Sequence, residues 1–244
     1  MWFLRETHEV SGAREREFEA LVRDAWMPAL ATSGARLLFY LRHVHGTGPS
    51  YRVVTWTALR DGAAWHELAQ RVDAGDLRPL AHELDALRHE VRAKMLQPLP
   101  WSPLQEVDLA GVPFTATAST LGSEVEPRTL SLFMEDTVHP HEGRLEPYVE
   151  ASGSHYASEM REHDAQGRAL LRIEASFRTT FGSHRRREII LWQRVVEPRG
   201  LLPLLTREVP ETYLEPGKWM HDALALRDQW QSRLLRTVAW SPRS

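Results

Sequence analysis

Two histidines separated by one residue, His43 and His45, end an apolar stretch that is predicted to be a strand. Alternate residues of a strand project to the same side, so both imidazoles are expected to point the same way. An imidazole titrates near neutral pH, which makes either ring a candidate general base. A strand pair of this kind could also bind a metal, although no spacing selects a third ligand and no metal site is expected. The third ligand would have to be Glu6, His8, His139 or His141. The structural alternative places both histidines half-exposed and inert at a rim.

A charged series follows the predicted strand 170–177 and the residue after it. One side of this strand is apolar and is expected to face helices: Ala169, Leu171, Ile173, Ala175 and Phe177. The other side carries Leu170, Arg172, Glu174, Ser176 and Arg178. Burying such charges costs several kcal/mol per ion unless they are paired or hydrated, which makes this side a candidate site. Arg172 or Arg178 would hold a developing enolate oxygen, and Glu174 would orient a neighbour.

The same alternation can be transferred to the strand that carries the histidines, if its Leu37-Leu38 is matched to Leu170-Leu171. The side expected to face a cavity then holds Leu37, Phe39, Leu41, His43 and His45. Phe39 and Leu41, together with Trp56 and Trp192, are predicted to contact the substrate, because apolar walls with a few polar groups suit a small aromatic molecule. Packing is the alternative role of the two tryptophans.

The elements that position these residues follow the order β-α-β-β-α-β, which is typical of a ferredoxin-like unit. The hairpin is predicted over 36–59, between helices that begin near Ala13 and Gly62. A further helix is predicted through Leu80, Leu84, Leu87 and Val91, and a short edge strand over 95–104. Pro28 is expected to kink the first helix. The order then repeats, with strands over 130–138, 170–177 and 188–196, a helix over 145–160, a helix over 219–234 and a strand over 235–240. The predicted organisation is a first repeat over 1–104, a linker over 105–127 with a short strand at 106–109, and a second repeat over 128–244.

Sequence spacing supports an internal duplication. The Trp-Ser-Pro motifs at Trp101 and Trp240 lie 139 residues apart, and the apolar positions ahead of them share that spacing. A four-stranded sheet covered by helices on one face leaves its other face bare. We therefore predict an α+β fold in which two tandem ferredoxin-like units pack their sheets face to face, with a pocket between them. This is the dimeric α+β barrel arrangement made within one chain.

Three sequence details also resemble NIPSNAP-type proteins of the dimeric α+β barrel superfamily. They are the helix end Met27-Pro28-Ala29-Leu30 before Ser33-Gly34, the strand Tyr51–Thr57 ahead of the helix with Trp65, and the closing Leu99-Pro100-Trp101-Ser102-Pro103. The resemblance covers most of 1–104 and, more loosely, 128–244. It implies the fold; relatives include cofactor-independent monooxygenases, haem-binding and haem-degrading enzymes, lactone isomerases and ligand sensors. No catalytic residue is carried over from it.

Composition limits the remaining classes of function. The formal charge is −3 and basic residues are dispersed, so nucleic acid is not an expected partner. The chain has no cysteine, which excludes disulfides and thiolate chemistry. The charged start of the chain and the lack of long apolar runs favour a cytoplasmic protein without a membrane partner. A homodimer is possible.

The leading hypothesis is an enzyme that abstracts a proton from an aromatic or polyketide-like molecule, as a cofactor-independent monooxygenase, isomerase or cyclase. No cofactor is predicted. The alternatives are a haem-binding barrel, for which His155 on a helix could be the ligand, and a non-catalytic ligand-binding or scaffold protein.

Overall fold

The structure is a computed structural model, and it describes residues 1–116, 130–183 and 186–243. The first repeat contains four strands, each antiparallel to its described partners. They are β1 (Trp2–Val10), β2 (Ala35–His43), β3 (Arg52–Leu59) and β4 (Arg88–Pro98). The helices of this repeat are α1 (Glu15–Leu21), α2 (Met27–Leu30), α3 (Gly62–Asp73) and α4 (Arg78–Asp85).

The second repeat has the same order of elements. Its strands are β5 (Leu132–Pro140), β6 (Leu171–Phe181), β7 (Ile189–Val195) and β8 (Arg227–Thr237). Its α-helices are α5 (Leu145–Ala151), α6 (Ala157–Ala165), α7 (Leu201–Thr206) and α8 (Trp219–Asp222). Short 3-10 turns flank α7 and α8 at Pro198–Gly200, Glu211–Tyr213 and Ala223–Ala225.

The strands follow the order β1-β3-β2-β8-β5-β7-β6-β4 and form a closed barrel. Within each repeat the fourth strand lies beside the first, which is the ferredoxin-like order. The predicted fold, a barrel made from two tandem ferredoxin-like units, is confirmed. None of the helices in the described parts of the chain has the length and apolar composition needed to cross a membrane.

Each repeat's sheet has one face that its own helices cover, here called the helix face. In the first repeat, Leu4 and Val53 on this face share a core with Phe18 and Leu68 of the helices. In the second repeat, Val138, Ile189 and Leu191 pack with Tyr148 and Val149 of α5. Alternate residues of each strand lie on the opposite face, here called the non-helical face.

A β-bulge interrupts β2 and β6 at the same position of the repeat. The pairing with β3 shifts between Leu37 and Phe39, and the pairing with β7 shifts between Ile173 and Ala175. Leu38 and Glu174 are therefore the extra residues, 136 positions apart, as are Trp56 and Trp192. A bulge of this kind reverses the alternation of side chains beyond it. The predicted matching of the leucine pairs, which spaced the repeats by 133, is wrong.

The bulge also overturns part of the predicted side assignment on β6. Leu171 and Ile173 lie on the helix face, but Ala175 and Phe177 lie on the non-helical face because Glu174 adds one residue. Ser176 and Arg178 pair with Leu191 and Ile189 and so lie on the helix face instead of the cavity side. In β2, Leu37 lies just before the equivalent bulge and packs in the core that the helices cover.

A turn of π-helix widens the first long helix of both repeats. It spans Val22–Trp26 in the first repeat and Ser152–Tyr156 in the second. In the first repeat the π turn ends immediately before α2, which contains Pro28, and the kink expected there stays a prediction. The second repeat has no proline there, so the wider turn does not depend on one.

The last strand of each repeat begins earlier than predicted. Val91 and Trp230, expected on helices, lie on β4 and β8, and the helix predicted over 219–234 is limited to α8 with its 3-10 turn. The two strands start at Arg88 and Arg227 and keep the 139-residue spacing. Leucine and tryptophan residues three or four positions apart produce the pattern of an amphipathic helix, and this pattern caused the wrong prediction. In the structure these residues lie among exposed side chains of the two strands.

Each compact unit includes a short segment from the other repeat's sequence. Residues 98–105 belong to the unit formed by 132–234, and residues 235–243 belong to the unit formed by 1–97. Trp101 donates its indole N–H to the carbonyl oxygen of Val149 at 2.8 Å. Trp240 donates to Glu19 Oε1 at 2.7 Å. The repeated Trp-Ser-Pro motif therefore anchors both segments to a first helix.

Residues 117–127 of the predicted linker lie outside the described residues. Its described part, 105–116, contains no strand, so the short strand predicted at 106–109 is wrong.

Candidate active site

A buried carboxyl, that of Asp136, lies on the helix face of β5. Its neighbours on the same side of the strand are Met134 and Val138, and Asp136 itself is 8% exposed. A carboxylate among apolar residues is costly unless hydrogen bonds satisfy its oxygens. Asp136 is therefore either a structural anchor or a group used for chemistry.

Asp136 accepts two hydrogen bonds, one on each oxygen. Ser232 Oγ donates to Oδ1 at 2.5 Å, and Gln193 Nε2 donates to Oδ2 at 2.9 Å. Tyr156 on the π turn donates its hydroxyl proton to Gln193 Oε1 at 2.5 Å, which fixes the amide with its nitrogen towards Asp136. Trp230 Nε1 donates to Ser232 Oγ at 2.8 Å, which leaves the serine proton for the carboxylate. These five side chains are called the Asp136 network.

The electrostatics of the network favour a carboxyl that titrates near neutrality. The pKa of Asp136 is raised to about 6, chiefly by burial; the charge of Glu135 also raises it, while Ser232, Gln193 and Arg227 lower it. A carboxyl with a pKa in this range can both accept and return a proton near neutral pH. Perturbed carboxyls of this kind are enriched at active sites.

A buried cation and several aromatic rings accompany the carboxyl. Arg227 lies with its guanidinium 4.5 Å from the ring centroid of Trp230. Burial lowers the pKa of Arg227, while the charges of Tyr148 and Asp136 act in the opposite direction. Trp219 packs against Tyr148 and Tyr156, with ring centroids 5.6 and 6.0 Å apart. The elements that supply these groups are β5, β7, β8, α5, the π turn and α8.

The network also reaches the protein surface. Ser232 and Trp230 are exposed on β8, whereas Asp136 is buried behind them. The carboxyl is thus one hydrogen bond from solvent. A proton can reach or leave it through the serine hydroxyl without opening of the core.

The first repeat has a different network at the equivalent place. Arg88 Nη1 donates to His8 Nδ1 at 2.8 Å, so the other ring nitrogen carries the proton and donates to Thr55 Oγ1 at 3.0 Å. Thr55 is also hydrogen-bonded to Glu6, whose pKa is raised chiefly by burial. Burial, followed by the charges of Arg88 and Arg5, lowers the pKa of His8 to about 3. His8 therefore stays neutral, which suits a structural role.

The two histidines of the hairpin do not form a pair on one strand. His43 is the last residue of β2, and its imidazole packs so closely against Gly48 of the turn that a side chain there would overlap the ring. His45 lies beyond the strand and is exposed. The alternation of a strand does not apply past His43, so it no longer supports the expectation that both rings point the same way.

The charged residues predicted on β6 form ion pairs. Arg172 pairs with Asp164 of α6 at 2.8 Å, and Arg178 pairs with Glu146 of α5 at 3.0 Å. Arg42, at the position equivalent to Arg178, pairs with Glu19 of α1. These pairs tie β2 and β6 to the first helix of each repeat.

Glu174 and the four predicted substrate contacts lie elsewhere in the sheets. Glu174 pairs with Arg194 of β7 at 2.7 Å. Phe39, Leu41 and Trp56 are buried on the non-helical face of the first repeat's sheet. Trp192 is buried on the corresponding face of the second repeat's sheet and stacks on Phe133 at 4.5 Å. Their contact with a substrate stays a prediction.

The other histidines considered as metal or haem ligands lie apart. His141 is hydrogen-bonded to the carbonyl oxygen of Leu224 at 3.1 Å, and His139 lies 3.8 Å from Glu188. His155 is exposed on the π turn. Within the described ranges, no group of three His, Cys, Asp or Glu side chains could hold a metal ion.

Sequence reasoning missed Asp136, Gln193, Tyr156, Ser232 and Arg227. One signal was present, because Asp136 alternates with Met134 and Val138 and is therefore an acid at an apolar position of a strand. The rest had no such signal. Ser232 and Arg227 lie on a strand that was read as a helix, and the π turn that directs Tyr156 has no recognisable sequence pattern.

Comparison with known proteins identifies the fold. No family model matches the chain, and no curated protein matches it. Among solved structures, a candidate monooxygenase from Lactobacillus acidophilus NCFM is 10% identical over 98% of this chain and 96% of its own, with a TM-score of 0.54. An anthrone oxidase-like protein is 9% identical over 97% of this chain and 91% of its own, with a TM-score of 0.53.

An uncharacterised NIPSNAP domain protein from Burkholderia xenovorans is 19% identical over 41% of this chain and 96% of its own, with a TM-score of 0.35. The two matches over nearly the whole length share the fold at identities too low to transfer an activity. The chain thus has the α+β barrel fold that its resemblance to the dimeric α+β barrel superfamily implied.

Proposed function

We propose that this protein is an enzyme that removes a carbon-bound proton from an aromatic or polyketide-like ketone or phenol. Asp136 is the general base, and Arg227 holds the oxygen on which the negative charge of the enolate develops. The observation that carries the proposal is the buried Asp136 carboxyl, whose pKa is raised to about 6 beside a buried arginine. The exposed Ser232 provides the route by which the abstracted proton leaves.

The aromatic surroundings favour an aromatic substrate. Arg227 lies over the ring of Trp230, and Trp219 packs against Tyr148 and Tyr156. Trp230 is 44% exposed, so its ring offers a flat surface on which a planar ring can stack. The fold neighbours include an anthrone oxidase-like protein and a candidate monooxygenase, which supports a test with anthrone.

The proposed chemistry balances without a further reductant. Asp136 takes one proton from the methylene carbon of anthrone and leaves an enolate whose oxygen lies beside Arg227. Dioxygen attacks that carbanion, and loss of water gives the quinone, so that anthrone and O₂ become anthraquinone and H₂O. In an isomerisation or cyclisation the same base would return the proton to another atom.

Anthrone oxidation followed with an oxygen electrode tests the assignment, with autoxidation in buffer subtracted. Asp136→Asn should reduce kcat at least 100-fold, because the amide cannot accept the proton and general-base catalysis contributes roughly 10²–10⁴-fold. Asp228→Asn, a matched change on the exposed part of β8, should leave turnover unchanged. The earlier prediction, His43 or His45 as the base, is tested by His43→Ala and His45→Ala. Loss of turnover in these variants, with Asp136→Asn active, would replace Asp136 as the base.

The two alternatives give different results in the same preparation. A haem-binding barrel would develop a Soret band on titration with haemin. A non-catalytic ligand-binding protein would bind anthrone without oxygen uptake above background. Either result would overturn the proposed proton abstraction.

A further inference from the structure

A buried glutamine, Gln193, occupies an apolar position of β7. It is 0% exposed and lies between its strand partners, Met134 of β5 and Ile173 of β6. A buried amide costs free energy unless its polar atoms are hydrogen-bonded, and an apolar side chain of similar size would fill the same space without that cost. We therefore expect the amide to serve the Asp136 carboxyl, to which it donates a hydrogen bond.

The two ends of this amide have opposite effects on the carboxyl. The Nε2 hydrogens stabilise the ionised carboxylate, whereas Oε1 in the same place would repel it. Nε2 lies 2.9 Å from Asp136 Oδ2, and Oε1 accepts the hydroxyl proton of Tyr156 at 2.5 Å. Burial raises the pKa of Tyr156, so its hydroxyl keeps the proton that it donates. The orientation of the amide therefore depends on both of its partners.

The first repeat has an acid and an arginine at the equivalent positions. Glu6 lies 130 residues before Asp136, and the same spacing separates the π turns of the two repeats. Arg88 and Arg227 are the first residues of β4 and β8. An acid on the helix face and an arginine at the start of the last strand are thus common to both repeats.

The partners of the acid differ between the repeats. The positions of Tyr156 and Gln193 are occupied in the first repeat by Trp26, the last residue of its π turn, and by Thr57. The Trp26 ring packs against the apolar core. The phenol–amide pair is therefore a feature of the repeat that holds the proposed base, and the fold does not require it.

We propose that Tyr156 is a positioning residue whose hydroxyl holds the Gln193 amide with Nε2 towards Asp136, so that the carboxylate stays ionised and fixed in place. The inference rests on Asp136 as the base of the proposed function. Tyr156 acts through the amide and needs no contact with the substrate. In Tyr156→Phe the ring remains, but Oε1 loses its donor and the amide can turn away from the carboxylate.

The pH profile of anthrone oxidation tests this role. The titratable and charged groups that face Asp136 are Glu135 on its own strand, Arg227 on β8, Tyr148 on α5 and Tyr156 on the π turn. Tyr156→Phe should move the rising limb of kcat upwards by about 1 pH unit, because the ionised carboxylate loses a hydrogen bond. Turnover should then fall about tenfold at pH 5 and stay nearly unchanged at pH 8. A damaged fold would lower kcat by the same factor at both pH values, which would overturn the proposal.

Two further variants separate the role from general effects of the substitution. Tyr40→Phe removes the hydroxyl of a buried tyrosine of the first repeat and should keep the wild-type profile. Gln193→Leu removes the amide and should shift the limb by itself. Adding Tyr156→Phe to Gln193→Leu should produce no further shift, since residues that act through one another are not additive. A further shift would show that Tyr156 acts without the amide and would overturn the proposal.

Carbon-13 NMR titration of the carboxyl groups distinguishes this inference from the proposed function. Asp136→Asn identifies the Asp136 resonance by its loss. A titration midpoint that rises in Tyr156→Phe but not in Tyr40→Phe supports the positioning role, even if the wild type does not oxidise anthrone. A midpoint that Tyr156→Phe leaves unchanged overturns it, whatever the activity of the protein.

Discussion

Asp136 and Ser232 are joined by a 2.5 Å hydrogen bond that connects a buried carboxyl to an exposed hydroxyl. The arrangement keeps the carboxyl in apolar surroundings, which raise its pKa, while protons can still exchange with solvent. A raised pKa does not help a carboxyl whose only role is structural, because it means that ionisation of the group destabilises the folded state. This relationship gives the first two predictions.

The stability of the protein should depend on pH through Asp136 in the direction opposite to that of an ion-paired acid. The folded pKa of about 6 lies above the unfolded value of about 3.9, so the folded state binds the extra proton between these values. Ionisation is unfavourable to folding above pH 6, and this penalty disappears as pH falls towards 4.

Lowering the pH from 7 to 5 should therefore raise the unfolding free energy of the wild type by about 1 kcal/mol relative to Asp136→Asn. Urea denaturation of the two proteins at both pH values measures this difference. A difference that is the same at both values would show that the carboxyl has no raised pKa.

Removal of the serine hydroxyl should shift the pH dependence of catalysis. The hydrogen bond from Ser232 stabilises the ionised carboxylate and lowers the pKa of Asp136. In Ser232→Ala the pKa rises further, so the rising limb of kcat for anthrone oxidation should move from about pH 6 to a higher pH. Ser154→Ala, an exposed helix serine, is the control and should keep the wild-type profile. An unmoved limb in Ser232→Ala would exclude Asp136 as the titrating base.

The sequence allowed the repeat, the hairpin and the barrel to be predicted, because hydrophobic alternation and the spaced Trp-Ser-Pro motifs are properties of the chain itself. The bulge at Glu174 could not be predicted in this way. One extra residue reverses the faces of Ser176 and Arg178, yet the sequence around it alternates without a break. The predicted charged stripe was therefore divided between two faces.

Most residues of the candidate site could not be predicted from the sequence, for a related reason. Trp230 and Ser232 lie on β8, where leucine and tryptophan spacing imitated a helix, and Tyr156 is directed by a π turn. Asp136 was visible as an acid at an apolar strand position. Its partners come from distant parts of the chain, and only the fold brings them together.

His8 should give the opposite pH dependence to Asp136. Its folded pKa of about 3 lies below the unfolded value of about 6.5, so the unfolded chain binds a proton that the folded chain does not. Stability is complete above pH 6.5 and is lost as pH falls. Between pH 7 and 5 this loss should be about 2 kcal/mol, and His8→Gln should abolish it. His45→Gln changes an exposed ring and should retain the loss; equal curves for all three proteins would contradict the assignment.

A methyl group at Gly153 should be poorly tolerated. A Cβ there would lie 2.5 Å from Cδ1 of Trp101, which packs against the π turn. Gly153→Ala should cost about 1–3 kcal/mol of unfolding free energy through overpacking. Gly62→Ala at the start of α3 adds a methyl group that meets nothing within 4 Å, so it should be neutral or slightly stabilising. Chemical denaturation of both variants measures the contrast, which would vanish if Trp101 packed elsewhere.

The two repeated tryptophans should contribute unequally to stability through their indole N–H groups. Trp101 donates to a neutral backbone carbonyl and Trp240 to the carboxylate of Glu19. A hydrogen bond to a neutral acceptor contributes about 1 kcal/mol, and one to a charged group about 1.5–3 kcal/mol. Both Trp→Phe changes also remove ring contacts. The difference in unfolding free energy between the two variants therefore reflects the different hydrogen-bond acceptors. Trp240→Phe should therefore lower the unfolding free energy by about 1 kcal/mol more than Trp101→Phe.

In a Glu19→Gln background, where the acceptor is neutral, the two substitutions should lower the unfolding free energy by nearly the same amount. A difference that persists in that background would assign it to packing against Tyr40, whose ring centroid lies 5.0 Å from that of Trp240.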